Sequence, residues 1–217
     1  MRYKYLLFDL DGTLVQSEFG IVESAMYAFE KLGEEVPDKE VLMKFIGPPL
    51  FYSFHEIGGL SREKSEQAVS LYRSYYEKGA YKKAPVYEGM ERVLHLLEKA
   101  GCVPIVVTGK ITSMAKQVME NAEIIDHFAG IFGPKPDEKL PRKADLIRFA
   151  MSALHIEEPD NTIMIGDRIF DIEGANEVGI DSVGCVYGYG TRDELANAGA
   201  THLVYNPYEL LSIVRGE

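Results

Sequence analysis

The chain has 217 residues, two cysteines and a formal net charge of −11 at pH 7, from 34 acidic and 23 basic side chains. With 46% hydrophobic and 26% charged residues it can bury a core and does not have the composition of a disordered chain. So acidic a surface argues against nucleic acid or an anionic membrane as partner, both of which are held mainly by Lys and Arg on phosphates; a small phosphorylated molecule needs only a few local cations.

The first predicted element is a strand over Tyr5-Leu6-Leu7-Phe8, an unbroken apolar run that stops at the loop Asp9-Leu10-Asp11-Gly12-Thr13. The run is too short for the apolar stretch of a signal peptide, and no window is apolar enough to span a bilayer, so the expected compartment is the cytoplasm. From about Val15 to Val86 no strand pattern occurs. Ile21, Ala25, Ala28 and Phe29 fall at helical spacing, and Gly33, Pro37, Gly47-Pro48-Pro49, Gly58-Gly59 and Gly79 divide the stretch into several helices. A block that long exceeds a simple crossover, so residues 16–85 are read as an inserted α-helical cap domain, and residues 1–15 with 86–217 as the core.

Beyond it the rhythm is regular. A helix over Glu88–Ala100 leads to a strand over Val103–Val107, which ends at Thr108-Gly109-Lys110. A helix over Ser113–Asn121, a Pro- and charge-rich loop carrying Lys135 and Lys139, and a helix over Lys143–Leu154 follow. A strand over Thr162–Ile165 ends at Gly166-Asp167, then come a helix over Asp171–Val178 and strands at Ser182–Val186 and His202–Val204. This alternation predicts βαβ units, hence an α/β fold with a Rossmann-like parallel sheet covered on both faces. Cys102 and Cys185 adjoin apolar runs and read as reduced core thiols.

In such sheets ligands bind beyond the carboxyl ends of the strands. The residues delivered there are Asp9, Asp11, Thr13, Thr108, Gly109, Asp167 and Asp171, with Lys143 at the head of its helix. Singly, each has a plain structural explanation: Asp-Gly is a turn, Asp or Thr caps a helix, and Lys is a solvated charge. Together they would place several carboxylates in one crevice, where their repulsion amounts to a few kcal/mol unless a cation offsets it. A hard divalent ion with oxygen ligands answers that need, and Mg²⁺ suits it because it keeps waters and binds phosphate oxygens.

Asp9-Leu10-Asp11-Gly12-Thr13, Thr108, Lys143 and Gly166-Asp167-Arg168-Ile169-Phe170-Asp171 resemble, in order, the four motifs of the haloacid dehalogenase superfamily. The resemblance covers nearly the whole chain. The helical stretch lies where one subfamily carries its cap, between the first and second motifs, and within it the chain is most similar to phosphoglycolate phosphatase and 5′-nucleotidase-like members. The resemblance implies a Mg²⁺-dependent phosphatase acting on a small phosphomonoester through an aspartyl-phosphate. Asp9 would be the nucleophile and Asp11 the general acid and base. Asp9, the main-chain carbonyl of Asp11, and Asp167 would hold the metal, with Asp171 in support. Thr108, Gly109 and Lys143 would bind the phosphate.

Two positions depart from the family pattern. Arg168 stands where a small hydroxyl residue is common, and either adjusts the site or faces solvent. Lys135-Pro136 matches the Lys-Pro pair of relatives, whereas Lys143 is chosen because it opens a helical run 24 residues before Asp167. The five histidines lack metal-ligand spacing, and Gly184, Gly188 and Gly190 open no dinucleotide-binding helix. A β-phosphoglucomutase-type mutase shares all four motifs and is the nearest alternative; a phospho-aspartate signalling switch shares the residue types in a different order. The expected partner is a small phosphorylated metabolite, with neither nucleic acid nor membrane, and both monomer and homodimer stay open.

Overall fold

Unbroken apolar runs become buried strands when both faces of a sheet are covered. In the computed structural model, which describes residues 1–135 and 141–216, six strands form one parallel sheet. They are β1 (Tyr5–Phe8), β2 (Val103–Val107), β3 (Ile131–Phe132), β4 (Thr162–Gly166), β5 (Asp181–Cys185) and β6 (His202–Val204), in the order β3-β2-β1-β4-β5-β6. This is the α/β architecture with a Rossmann-like parallel sheet read from the sequence. Leu7 sits in register with Ile105 on one side and Met164 on the other. All three pack with Leu146, Ile147 and Ala150 of helix Lys143–Ala153 and with Ala175 of helix Ile169–Val178. A fully buried side chain of this size contributes roughly 1.5–3 kcal/mol, so the centre of the sheet is where stability concentrates.

The strand order reverses between β1 and β4: the chain runs outward through β2 and β3, then returns to the other side of β1. A crevice opens at such a switch point, at the carboxyl ends of the two strands. β1 leads into Asp9 there, and β4 leads into Asp167.

Three short elements escaped the sequence reading. β3 has only two residues, both half-buried, so it carries no periodicity to recognise. Its shortness explains Pro104 in β2. The amide of Val103 donates to Lys4 on the β1 side and that of Val106 to Gly130 on the β3 side, so Pro104 turns its missing donor towards an edge where pairing begins only at Val106. Helices Arg192–Asn197 and Leu210–Arg215 have six residues each, too few to display a 3.6-residue period. Other element ends shift by a residue or two, as β5 does from Ser182–Val186 to Asp181–Cys185.

Backbone contacts divide the chain into Met1–Val15 with Val86–Glu217, and Gln16–Pro85. The second unit is helical, built on Glu18–Leu32 and Arg62–Glu77. Its interior is aromatic: Phe45 meets Phe54 edge-on at 5.2 Å, Phe29 lies 5.5 Å from Phe54, and Tyr72 stacks on Tyr76 at 5.6 Å. Phe19, Phe51 and Tyr52 of this unit are exposed. No helix among the described residues is long and apolar enough to cross a membrane.

Candidate active site

The loop after β1 is set by hydrogen bonds and one glycine. The amides of Thr13, Leu14 and Val15 all donate to the Leu10 carbonyl, and Gly12 turns the chain with φ +81°. A side chain at Gly12 would be strained in that region and would strike Asp167, its Cβ standing 2.1 Å from Oδ2. The glycine thus brings the first loop against the carboxylate that follows β4. Gly166 does the same from the other strand, since a Cβ there would stand 2.2 Å from Asp171 Cγ.

Lys143 is the first residue of its helix, and its ammonium reaches the ends of β1 and β2 and the first turn of helix Ile169–Val178. Nζ lies 3.1 Å from Asp9 Oδ1 and 2.7 Å from Asp171 Oδ1, and donates to the Val107 carbonyl at 3.1 Å. The Lys143 and Asp171 side chains are 8% and 1% exposed, which makes this a buried ion-paired cluster rather than a surface contact. Gly174 makes room for it: a Cβ there would come within 2.9 Å of the Lys143 stem. Lys135 is exposed, and Lys139 lies outside the described residues.

Asp171 Oδ2 accepts the Arg168 amide at 3.1 Å while Oδ1 faces Lys143. Asp167 is completely buried, and its donors among the described residues are neutral, Thr13 Oγ1 at 3.3 Å and the Tyr189 amide at 2.8 Å. Oxygen atoms of Asp9, Asp167 and Asp171 all lie within 4.8 Å of one another. Burial, followed by the charges of Asp171 and Asp9, pushes the Asp167 carboxyl well above the usual range. For Asp9 burial also leads, Lys143 opposes it, and Asp171 and Asp11 add to it; the outcome is a carboxyl pushed up to about 6. Burial alone would depress Lys143, but Asp171 and Asp9 outweigh it and hold its pKa raised.

Asp11 pairs with Lys110, Oδ2 to Nζ 2.7 Å, and its Oδ1 is buried with no hydrogen-bond partner among the described residues. Thr108 is buried at the end of β2; its hydroxyl accepts the Lys110 amide at 3.2 Å. Gly109 is exposed, with nothing within 4 Å of where a Cβ would stand. Arg168 pairs with Glu194, Nε to Oε1 3.2 Å. The sequence reading assigned no part to Lys110, Thr13 or the Tyr189 amide. Thr13 and Lys110 sit within quoted motifs and carried a signal; a backbone amide carries none.

Among the described residues the arrangement holds four carboxylates against two ammoniums. Two carboxylates within 4.8 Å of one another repel by about 3 kcal/mol or more at an effective dielectric near 20, and among the described residues no ammonium pairs with Asp167. The donors left over are all oxygens, Asp9 and Asp167 foremost, and that set fits a hard divalent cation such as Mg²⁺. Beside the carboxylates that could hold a metal stand the Lys143 ammonium and the buried Asp11 Oδ1, which has no hydrogen-bond partner among the described residues.

The family model described as haloacid dehalogenase-like hydrolase matches residues 6–185. A 5′-nucleotidase of Pseudomonas aeruginosa is 33% identical over 202 residues, covering 93% of this chain and 91% of that protein. The solved structure of a haloacid dehalogenase-like family hydrolase from Streptococcus pneumoniae superposes with a TM-score of 0.91 at 35% identity, covering 98% of each chain. Tyrosine-protein kinase PtkA of Mycobacterium tuberculosis is 32% identical over 196 residues, which are 90% of this chain and 66% of the kinase.

Proposed function

Because this chain belongs to the haloacid dehalogenase-like hydrolases and is a phosphoric monoester hydrolase, we propose that it hydrolyses a small phosphomonoester through a phosphorylated Asp9, with Mg²⁺ as cofactor. The observation that carries this reading is the buried cluster itself: Lys143 within 3.1 Å of Asp9 and 2.7 Å of Asp171, with Asp167 alongside and, among the described residues, no further ammonium paired with it.

In this reading Asp9, the main-chain carbonyl of Asp11, and Asp167 hold the metal, which supplies positive charge against the phosphoryl oxygens when bound. Lys143 adds a second positive charge and keeps the Asp9 carboxylate aimed. Asp171 supports the site from close by, fixing Lys143 through Oδ1 while Oδ2 accepts the Arg168 amide. Asp9 attacks phosphorus and the alkoxide leaves. The Asp11 carboxyl gives that alkoxide its proton, then takes one from the water that cleaves the phosphoenzyme. The buried Asp11 Oδ1 without a partner supports a role facing a reacting group. Thr108 and the open backbone at Gly109 receive phosphate oxygens.

The proposal extends to residues 16–85, the helical unit, as the cap that selects the leaving group. The kinase name of one relative stays with that relative, whose matched part is 66% of its length. The substrate proposed is phosphoglycolate-like or a nucleoside 5′-monophosphate, in keeping with the resemblance and with the 5′-nucleotidase relative. A panel of phosphoglycolate, nucleoside 5′-monophosphates and sugar phosphates, assayed for released phosphate with Mg²⁺ and with EDTA, tests it. Hydrolysis of one of the first two classes, abolished by EDTA, is expected. Interconversion of sugar phosphates without release of phosphate would replace the phosphatase by a mutase.

A further inference from the structure

The segment after β5, Val186-Tyr187-Gly188-Tyr189-Gly190, has no part in the chemistry above, yet it touches both loops that carry the proposed metal ligands. The Tyr189 amide donates to Asp167 Oδ2 at 2.8 Å. The Tyr187 hydroxyl donates to the Thr13 carbonyl at 3.0 Å, in the loop that follows Asp11. Thr13 closes the triangle through Oγ1, 3.3 Å from Asp167 Oδ1. The packing leaves no slack: a Cβ on Gly188 would stand 2.3 Å from the Gly12 carbonyl oxygen and 2.4 Å from Asp167 Cβ, and one on Gly190 would stand 2.0 Å from the Asp167 carbonyl oxygen. The Tyr187 ring meets Tyr87 edge-on at 4.9 Å. Burial, with Cys185 beside it, pushes the Tyr187 hydroxyl well above the usual phenol range, so it stays a neutral donor.

We propose that Tyr187 through Gly190 is a brace that positions the Asp167 carboxylate and the Asp11–Thr13 loop for the cation, with the Tyr187 hydroxyl as its anchor on the first loop. The inference rests on the proposed function, since it concerns the same metal site. Both Asp167 oxygens accept a hydrogen bond that fixes the carboxylate's rotation, and each retains a lone pair for an ion. The side chain of Tyr187 and the backbone of Gly188 cross to the first loop, and the Tyr189 ring stands against Gly12 beside them. Tyr187 and Gly188 are therefore positioning residues, acting through Asp167 and Thr13. Groups that orient a metal ligand in this way commonly set affinity by one to two orders of magnitude.

The test is Mg²⁺ binding by calorimetry to the full chain and to Tyr187→Phe, which keeps the ring and removes the donor. Binding about tenfold weaker is expected, with the unfolding temperature in EDTA close to that of the wild type, a separation that a purely structural role would not produce. Hydrogen exchange provides a second readout that needs no variant. Mg²⁺ should slow exchange of the Tyr189 amide in the wild type while leaving the Ala196 amide unchanged. Equal Mg²⁺ affinity in Tyr187→Phe, or a Tyr189 amide indifferent to Mg²⁺, would overturn the brace while leaving the proposed function standing. A wild-type protein that binds no Mg²⁺ would overturn both.

Discussion

The two ends of the sheet use the same side chain in opposite ways. At the amino end Asp181, the first residue of β5, has donors in excess: the Tyr3 hydroxyl at 2.5 Å, Arg2 at 3.0 Å and the Thr201 hydroxyl at 3.3 Å. The Tyr3 hydrogen bond, aided by Arg2 against some burial, holds its carboxyl below the usual range. At the carboxyl end four aspartates share two lysines, and burial drives Asp9 and Asp167 upward. A carboxylate surrounded by donors fastens chain segments together. Carboxylates that outnumber their donors are stable in ionised form only with a further cation, and that surplus marks a functional site.

The largest break in this contrast comes from removing the cation the carboxyl end does possess. Lys143→Met leaves Asp9 and Asp171 buried without their partner, a change that costs about 3 kcal/mol or more before the carboxyls take up protons. Phosphatase activity should fall by about a thousandfold or more, and the unfolding temperature should drop as well. A variant with near-normal turnover would remove Lys143 from the phosphate site.

Acidity sharpens the contrast in the metal-free protein. The folded carboxyls of Asp9 and Asp167 are raised above their unfolded values, so their favourable contribution is complete below about pH 4 and is lost as pH climbs through about 6 for Asp9. In EDTA the wild type should therefore lose stability relative to Asp9→Asn between pH 4.5 and 7. Mg²⁺ at a hundred times its dissociation constant should restore about 2.7 kcal/mol at pH 7.5, and clearly less at pH 5, where protons compete. Thermal unfolding across this range checks both statements. A Mg²⁺ effect independent of pH would show that these carboxylates are not its ligands.

The smallest effect belongs to the amino end. Asp181→Asn should lower stability by about 1 kcal/mol and leave catalysis unchanged. The side chain is 35% exposed, so solvent screening keeps the value small. Its carboxyl is depressed in the fold, so the lost contribution is one present at neutral pH that fades as pH falls below about 4. Loss of activity without loss of stability would mean that the two edges are coupled.

The same contrast explains what was legible in the sequence. Asp9, Asp11 and Thr13 fall within five residues after an apolar run, and Asp167 and Asp171 follow another, so a strand pattern and its terminal residues located both clusters. Lys143 was chosen because it opens a helix, although Lys135-Pro136 offered the closer motif match, and the fold sets its ammonium 3.1 Å from Asp9. Arg168 could not be resolved from sequence, since its partner Glu194 lies 26 residues on in a six-residue helix with little pattern of its own. The contact of Gly188 and Tyr189 with Asp167 was invisible because it uses a backbone amide and the absence of a side chain. In the helical unit the element type was readable from spacing. The five-residue turn of π-helix at Ser53–Ile57 was not, being too short to impose a period.

The central claim is that the surplus of carboxylates exists so that one of them, Asp9, can carry the phosphoryl group. Rapid acid quench of the enzyme with phosphorus-labelled substrate and Mg²⁺, followed by peptide mapping, tests it most directly. The account predicts label on the peptide containing Asp9, absent in EDTA and absent in Asp9→Asn. Steady turnover with no labelled protein, or label on a peptide without Asp9, would contradict it.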